Sequence, residues 1–588
     1  MKNKWQIFKF IWHLLRKFKP HLLVVHGLYA AMRTLEMLLV IFIPSNMIQL
    51  LMQESEQAVI MLKITVMLAV VWALRIAGRL LQRKATLLGL QFGQELRKDI
   101  SYQIMTIPFT QIEDATFISK KEEALFPLET QNVLHNLFTA LPSVIQAIAL
   151  MTTVLSILLV YDVVIVLVVI VLASVSFRFS QSMIQKEAES AKRSARQNNE
   201  YVYYLRTIRD LAIAKDVRIY QMQPFFVQKL KALFDYYVGS IKELYQSREY
   251  RALVNQLLSV SLTVFVYGYL LYRIFQVQMG SAIFVLLVNA TVSFSDQINV
   301  FLTELLVLNQ QLIYLKPLQE FYEMITAKEK KGSILLTDPI VSVEFRNVTF
   351  RYPNTEQLVL NQCSFQIDCK KNLSIVGLNG SGKTTMIKLL SRLYEPIEGA
   401  ILVNGVTIQE YEEQSYLKQL SIIFQDFKTF HYSMKENIIY DREADETNLQ
   451  EALIRSEYEK ETGKFKHGID TYLSSDFGEG TSISKGQEQK LVIARSIYQG
   501  GSLMILDEPT AALDPIAEEE VYRHFRSITN DKLAIFISHR LSSCRFSDVI
   551  IYLENGSVQE QGTHEELMLL GGKYASIFQM QAAKYQLA

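Results

Sequence analysis

Three cysteines in 588 residues, Cys363, Cys369 and Cys544, are too few and too odd in number for a disulfide framework, and none sits at zinc-ligand spacing. All three fall in the C-terminal half, where they read as reduced thiols of a cytosolic domain. Charge of one sign is missing too. Sixty basic residues face 59 acidic ones, and that balance excludes the basic surface expected of a nucleic-acid binder. A cleavage site after a compact apolar core is absent near the N-terminus, so no signal peptide is read there. Nor does a Cys/His pair near the N-terminus suggest an attached peptidase.

What is present is hydrophobicity, unevenly spread. Half of all residues are hydrophobic while a fifth are charged, and the length suggests at least two domains. Trp5, Phe8, Trp12 and Leu15 recur at helical spacing among Lys4, Lys9, Arg16 and Lys17, so residues 1–20 are expected to form an amphipathic helix on a membrane surface. Stretches long enough to cross a bilayer follow at about 22–50, 58–79, 137–160, 162–178, 252–274 and 279–306. The fourth, DVVIVLVVIVLASVSF, carries no charge after Asp162; the first holds Arg33 and Glu36, three apart on one helical face. Either that pair lines a protein-filled or wet interior, or the span begins deeper than drawn.

Loop lengths alternate. Gln53–Gln57, Tyr161–Asp162 and Arg273–Gln278 are tight connections, whereas about 80–136 and 179–251 are long, charged and helical in pattern. Arg79, Arg83, Lys84, Arg178 and Lys186 crowd the starts of the long loops, and the first short loop carries only Glu54 and Glu56. The positive-inside rule then places both termini and the long loops in the cytosol, with Arg273 a minor exception. The long loops are expected to extend the spans as helices, turning at 107–115 and 214–224, which suit contact with another domain.

After residue 325 comes a polar linker, Lys328-Glu-Lys-Lys-Gly332, assigned to 326–340; from Val341 the pattern turns to strands alternating with helices. The strongest local signal is Gly377-Leu-Asn379-Gly380-Ser381-Gly382-Lys383-Thr384 between an apolar strand and a helical stretch. This is a phosphate loop in its required context. Glycines let backbone N–H groups close on phosphates, Lys383 reaches the β/γ-phosphates, and Thr384 offers a hydroxyl to Mg²⁺. Thr385 completes the expected set of ATP contacts in this loop. Downstream, Leu503-Met-Ile-Leu-Asp507-Glu508 ends an apolar strand in two carboxylates, one placed to assist Mg²⁺ and the next to activate water.

The order of phosphate loop, Gln425, Ile483-Ser484-Lys485-Gly486-Gln487, Asp507-Glu508, Asp514 and His539 resembles the ABC transporter ATPase family, and the six spans ahead of it resemble ABC exporter half-transporters. The fold this implies is an all-α six-helix transmembrane domain (21–325) followed by an α/β P-loop ABC ATPase domain (341–588). By that likeness Tyr352, before the first strand's end, stacks on adenine. Gln425 joins Asp507 and Thr384 at Mg²⁺, Glu508 is the general base and His539 holds the γ-phosphate. Asp514 lies at a dimer seam, where Ser484, Gly486 and Gln487 close over ATP on the opposite subunit. The segments at 107–115 and 214–224 become coupling helices.

One position departs from the family pattern. Where Leu-Ser-Gly-Gly-Gln is usual, Lys485 stands at the first glycine, and lysine lacks glycine's permissive torsions. An altered signature beside an intact Glu508 implies a heterodimer with a second half-transporter, in which this chain supplies the competent catalytic half. The expected function is ATP-driven export across the cell membrane by alternating access. Uptake on the same fold, a soluble ATPase acting on nucleic acid or ribosomes, and a regulatory subunit are the alternatives. Asn289, Asp296 and the Arg33/Glu36 pair are candidates for a polar pathway, with membrane lipid as surroundings and lipid, peptide and drug all open as cargo.

Overall fold

The computed structural model describes residues 2–52, 57–130, 132–210, 213–277, 280–326, 332–368, 371–440, 445–474, 480–507, 525, 528–529, 532–538, 544–545 and 547–586. Two compact units emerge, residues 1–106 with 116–327, and residues 107–115 with 328–588.

The first unit is helical. Helix α1 (Lys2–Phe18) buries Ile7, Ile11, Leu14 and Leu15 on one face. Its other side exposes Trp5, Phe8 and Trp12, whose rings stack in series, with Lys9 over Trp5 and Arg16 over Trp12. Helices α2 (His21–Met52), α3 (Gln57–Thr106), α6 (Val133–Tyr161), α7 (Val163–Arg209), α9 (Gln223–Val277) and α10 (Ser281–Ile325) are each long and apolar enough to cross a membrane. Between them lie α4 (Phe109–Ile112), α5 (Ala115–Thr130) and α8 (Ala214–Ile219). At about 1.5 Å per residue, the 50 residues of α3 and 55 of α9 far exceed a hydrocarbon layer of about 30 Å.

Central packing falls to α10, whose buried Leu286, Leu287, Ala290, Phe294 and Leu302 meet Val154 and Leu158 of α6 and Leu262, Val266 and Leu270 of α9. The tight α6–α7 junction is held by Asp162. Its carboxylate caps α7 by accepting from the Val164 N–H at 2.9 Å, and it also takes the Tyr269 hydroxyl at 3.0 Å and Arg273 at 3.4 Å. Arg273, the exception to the charge rule, therefore has a structural partner. Such a buried carboxylate is tolerated only because it is multiply bonded.

The second unit is α/β. One sheet of order β10-β9-β3-β8-β7-β6 comprises β3 (Asn372–Val376), β6 (Leu420–Ile423), β7 (Leu503–Asp507), β8 (Leu533–Ile537), β9 (Val549–Glu554) and β10 (Ser557–Gly562); only β10 runs antiparallel. Strands β3, β7 and β8 are buried throughout, as expected for parallel strands covered on both faces. A second, antiparallel sheet of order β2-β1-β4-β5 is built from β1 (Ser342–Phe350), β2 (Leu360–Asp368), β4 (Glu398–Val403) and β5 (Val406–Thr407). A shared core holds Phe345, Phe365, Ile375, Leu389, Ile505 and Ile535.

Two boundaries differ from the sequence reading. The stretch 333–340 is not a free linker. Ser333 and Ile334 donate to the Glu410 carbonyl, and Leu336 and Ile340 are buried in the second unit's core. Two apolar anchors in eight residues were enough to hold it there. The charged run Lys328–Lys331 lies outside the described residues. Of the two breaker segments, 107–115 groups with the second unit, while 214–224 stays with the first.

Candidate functional site

The site starts at the C-terminal end of β3, where parallel α/β sheets present ligands. The chain leaves β3 through Gly377–Gly382 and enters α11 (Lys383–Leu390). Gly380 and Gly382 sit at φ +81° and +105°, where an L side chain is strained. At Gly382 a Cβ would also stand 2.7 Å from Leu360 Cδ2, and at Gly377 it would strike the Leu553 carbonyl. This tight loop is therefore a requirement of the fold itself.

Lys383 is buried, and its ammonium donates to the carbonyls of Gly377 at 3.0 Å and Leu378 at 3.1 Å. Its side chain thus bridges the loop from inside. The Thr384 hydroxyl donates to Asp507 Oδ1 at 3.4 Å, joining the loop to the fully buried end of β7. Ser381 is buried with its hydroxyl lacking a hydrogen-bond partner among the described residues. Asn379 is exposed at the loop's crest.

A hydroxyl and a carboxylate are hard oxygen donors, and no group of three or more His, Cys, Asp or Glu side chains gathers among the described residues. That sparse set fits Mg²⁺, which keeps most of its shell as water and phosphate oxygen. A lysine wrapped in loop carbonyls, an orphaned serine hydroxyl and left-handed glycines likewise fit a polyphosphate.

Tyr352 lies just past β1 rather than before its end. Its hydroxyl pairs with the Thr385 hydroxyl at 3.0 Å, and its ring meets Phe350 and Tyr394 edge-on, with the Lys388 ammonium 5.3 Å above it. Gln425 is exposed two residues beyond β6, and the pairing of Ile423 with Leu506 puts it at the same sheet end as Asp507. Glu508, Asp514 and His539 lie outside the described residues, although β7 and β8 deliver the chain to that edge at Asp507 and Ser538.

The signature segment sits elsewhere, at the start of α16 (Lys485–Gln499). Ser484 is the N-cap, its hydroxyl accepting from the Gln487 N–H at 3.3 Å while Gln487 Oε1 accepts from the Ser484 N–H at 2.9 Å. This reciprocal box closes the helix start. Gln487 Nε2 donates to Glu461, whose carboxyl is held below its ordinary value by hydrogen bonds from Lys464 and Gln487. Lys485 is 81% exposed, paired with Glu488 at 2.8 Å and 6.0 Å from the centroid of the Phe427 ring. Gly486 has open space where a Cβ would stand and no positive φ. Hydrogen bonds from these four side chains go to their own helix or to Glu461, none to the phosphate loop, among the described residues.

Glu461, Phe427 and Tyr394 escaped the sequence reading. Tyr394 is buried against Phe350, and it also takes Phe109 edge-on and donates its hydroxyl to Glu113, which explains why 107–115 groups with this unit. No spacing signal marks a contact between residues 281 positions apart.

Six long apolar helices joined to a phosphate-loop α/β unit define a membrane-spanning, nucleotide-driven class of protein. The family model described as ABC transporter matches residues 360–511; the second unit is an ABC transporter ATPase domain. The chain is 41% identical over 261 residues to the subtilin transport ATP-binding protein SpaT of Bacillus subtilis, covering 44% of this chain and 42% of that one. It is 34% identical over 255 residues to the ATP-dependent lipid A-core flippase of Burkholderia orbicola (strain AU 1054), covering 43% and 42%. Identity to the nisin transport ATP-binding protein NisT of Lactococcus lactis subsp. lactis is 27% over 387 residues, covering 64% and 63%. The aligned stretch thus spans less than half of the first two relatives. A solved bacterial Atm1-family ABC exporter with ATP bound matches at TM-score 0.78 and 20% identity, over 97% of this chain and 99% of that one. The whole chain therefore has the ABC exporter fold.

Proposed function

We propose that this protein couples ATP hydrolysis to export across the cell membrane as one half of a dimer. The observation that carries the reading is the buried Lys383 loop joined through Thr384 to Asp507, in a chain with six membrane-length helices. Export is the direction that the names of the relatives support. The ATPase unit and both termini are cytosolic in this reading, with the long helical extensions on the same side.

Residue roles follow from position. Lys383 exchanges loop carbonyls for phosphate oxygens, Thr384 and Asp507 hold Mg²⁺ with Gln425, and Tyr352 supports the base. Glu508 activates water and His539 steadies the γ-phosphate. Bound Mg²⁺ supplies charge neutralisation between the phosphates.

Dimerisation has two supports. Ser484 and Gly486 face outward with no ligand of their own. The 214–224 segment stays apart from its own ATPase unit and exposes Ile219 and Tyr220; in a dimer both would meet the partner. Lys485 shapes the kind of dimer. The fold accepts lysine there without strain, so it alters only what the partner's nucleotide meets. That favours a heterodimer in which this chain's Glu508 works against the partner's signature, while the site using Lys485 turns over slowly.

The experiment is reconstitution in vesicles with a labelled lantibiotic peptide, a fluorescent phospholipid and a cationic dye as probes. ATP-dependent accumulation in inside-out vesicles is expected for one of them, and loss of all accumulation in Lys383→Ala. Full ATPase activity and transport by this chain alone would overturn the heterodimer.

A further inference from the structure

A cationic, aromatic stripe on α3 has no role in the reading above. Glu36 of α2 is buried, and its carboxylate accepts from Arg33 at 2.5 Å and from Arg75 of α3 at 2.7 Å. Two guanidiniums share one carboxylate, so the cluster carries a net +1. Arg75 spends only its Nε on Glu36, and its side chain is 52% exposed. The terminal N–H groups of its fork remain available to a second anion.

Depth locates the cluster. From the outer ends of α2 and α3, Arg33 and Arg75 are 19 and 18 residues in, about 28 and 27 Å along each axis. A hydrocarbon core is about 30 Å thick. The pair therefore sits where acyl chains give way to headgroups, which resolves the two options left open for Arg33 and Glu36: the crossing begins near Arg33. Along α3, Trp72, Arg75, Arg79 and Arg83 follow i, i+3, i+7, i+11, one helical face. Trp72 is 68% exposed, and Arg79 and Arg83 are exposed beyond it. Of the six spans α3 has the least buried apolar window, 6%.

We propose that this face of α3, with Arg75 preset by Glu36, docks the phosphate headgroup of an anionic phospholipid in the leaflet on the ATPase side. Trp72 lies at the acyl boundary, Arg75 bonds the phosphate, and Arg79 and Arg83 supply the field further out. Charge complementarity selects the occupant: three exposed arginines at headgroup depth meet lipid anions there. The leaflet assignment rests on the proposed topology.

Trp5, Trp12 and Trp72 are the only tryptophans, so Trp5→Phe with Trp12→Phe isolates Trp72 as a fluorescent reporter. The full-length variant is reconstituted in phosphatidylcholine vesicles containing either 6,7-dibromo-phosphatidylglycerol or 6,7-dibromo-phosphatidylcholine. The expected result is at least about threefold stronger relative association of the glycerol lipid, each headgroup-depth arginine being worth up to about fivefold. Arg75→Gln and Arg79→Gln each bring the ratio towards one. Glu36→Gln separates a built site from a diffuse field, because it adds positive charge yet releases Arg75: the ratio falls for a preset site and rises for a field alone. If Glu36→Gln does not reconstitute, Arg79→Gln still decides. Equal quenching by both lipids, or a rise in Glu36→Gln, overturns the proposal and leaves the membrane topology standing. A Trp72 that neither lipid quenches overturns it and indicts the topology too, since that face is then covered by a partner chain or out of the bilayer.

Discussion

The two helix starts of the ATPase unit, at Lys383 and at Lys485, look alike in sequence, each glycine-bearing and each followed by an amphipathic helix. Their environments are opposite. Gly377 and Gly382 are required by the protein's own packing, since Leu553 and Leu360 occupy the space a side chain would need. Gly486 is required by nothing in its own chain. Lys383 turns inward and is bonded on all sides that the loop provides, whereas Lys485 points outward to a single acid one turn away. A glycine that the fold demands marks a site complete within the chain. A glycine the fold does not demand marks a surface whose constraint comes from outside.

That contrast can be broken most sharply by Lys383→Ala, expected to lower ATP turnover at least about a hundredfold, as losing a main phosphate-charge partner does. Radiolabelled phosphate release from the reconstituted dimer measures it, and near-normal turnover would remove Lys383 from the site. Glycine-to-alanine exchange then sorts the two starts by what fails. Gly486→Ala is expected to cut turnover of the partner-bound nucleotide at least about tenfold while leaving the thermal midpoint within a degree or so, because no neighbour is displaced. Gly382→Ala is expected to destabilise by about 2–3 kcal/mol, from the left-handed torsion and the contact with Leu360 together, visible as a lowered midpoint in a thermal melt. If both glycines behave alike, the distinction fails.

Lys485→Gly probes the departure from pattern. Restoring the usual residue is expected to raise ATPase activity of the chain assembled with itself by a few fold, and no change would mean that the lysine does not limit that site. The smallest effect concerns Glu461. Its carboxyl is depressed in the folded state, so its pairing with Lys464 and Gln487 stabilises above the ordinary carboxylate range and is lost as pH falls through the folded value. Glu461→Gln should therefore flatten acid destabilisation by no more than about 1 kcal/mol, read from melts between pH 7 and 4.

Legibility tracked the range of the signal. The phosphate loop, the strand ending at Asp507 and the six apolar helices are written in contiguous residues, where period and turn chemistry speak directly. The Arg33–Glu36 pair was visible as an i, i+3 neighbour on one helix, but Arg75, the partner that fixes its depth, comes from another helix 39 residues on. The same limit hid Glu113 under Tyr394. Residues 333–340 were misjudged because a polar run before them set the expectation, while burial of Leu336 and Ile340 is decided by tertiary packing.

Strand order in the six-stranded sheet has a consequence for biogenesis. Strand β3, which launches the phosphate loop, pairs only with β8 and β9, and β8 begins about 160 residues later in the chain. During synthesis at about 5–20 residues per second, the loop-bearing strand emerges and waits roughly 8–30 s without a lateral neighbour. The nascent chain therefore cannot hold nucleotide until translation is nearly finished, and the helices preceding it have that interval to enter the bilayer before the ATPase unit closes.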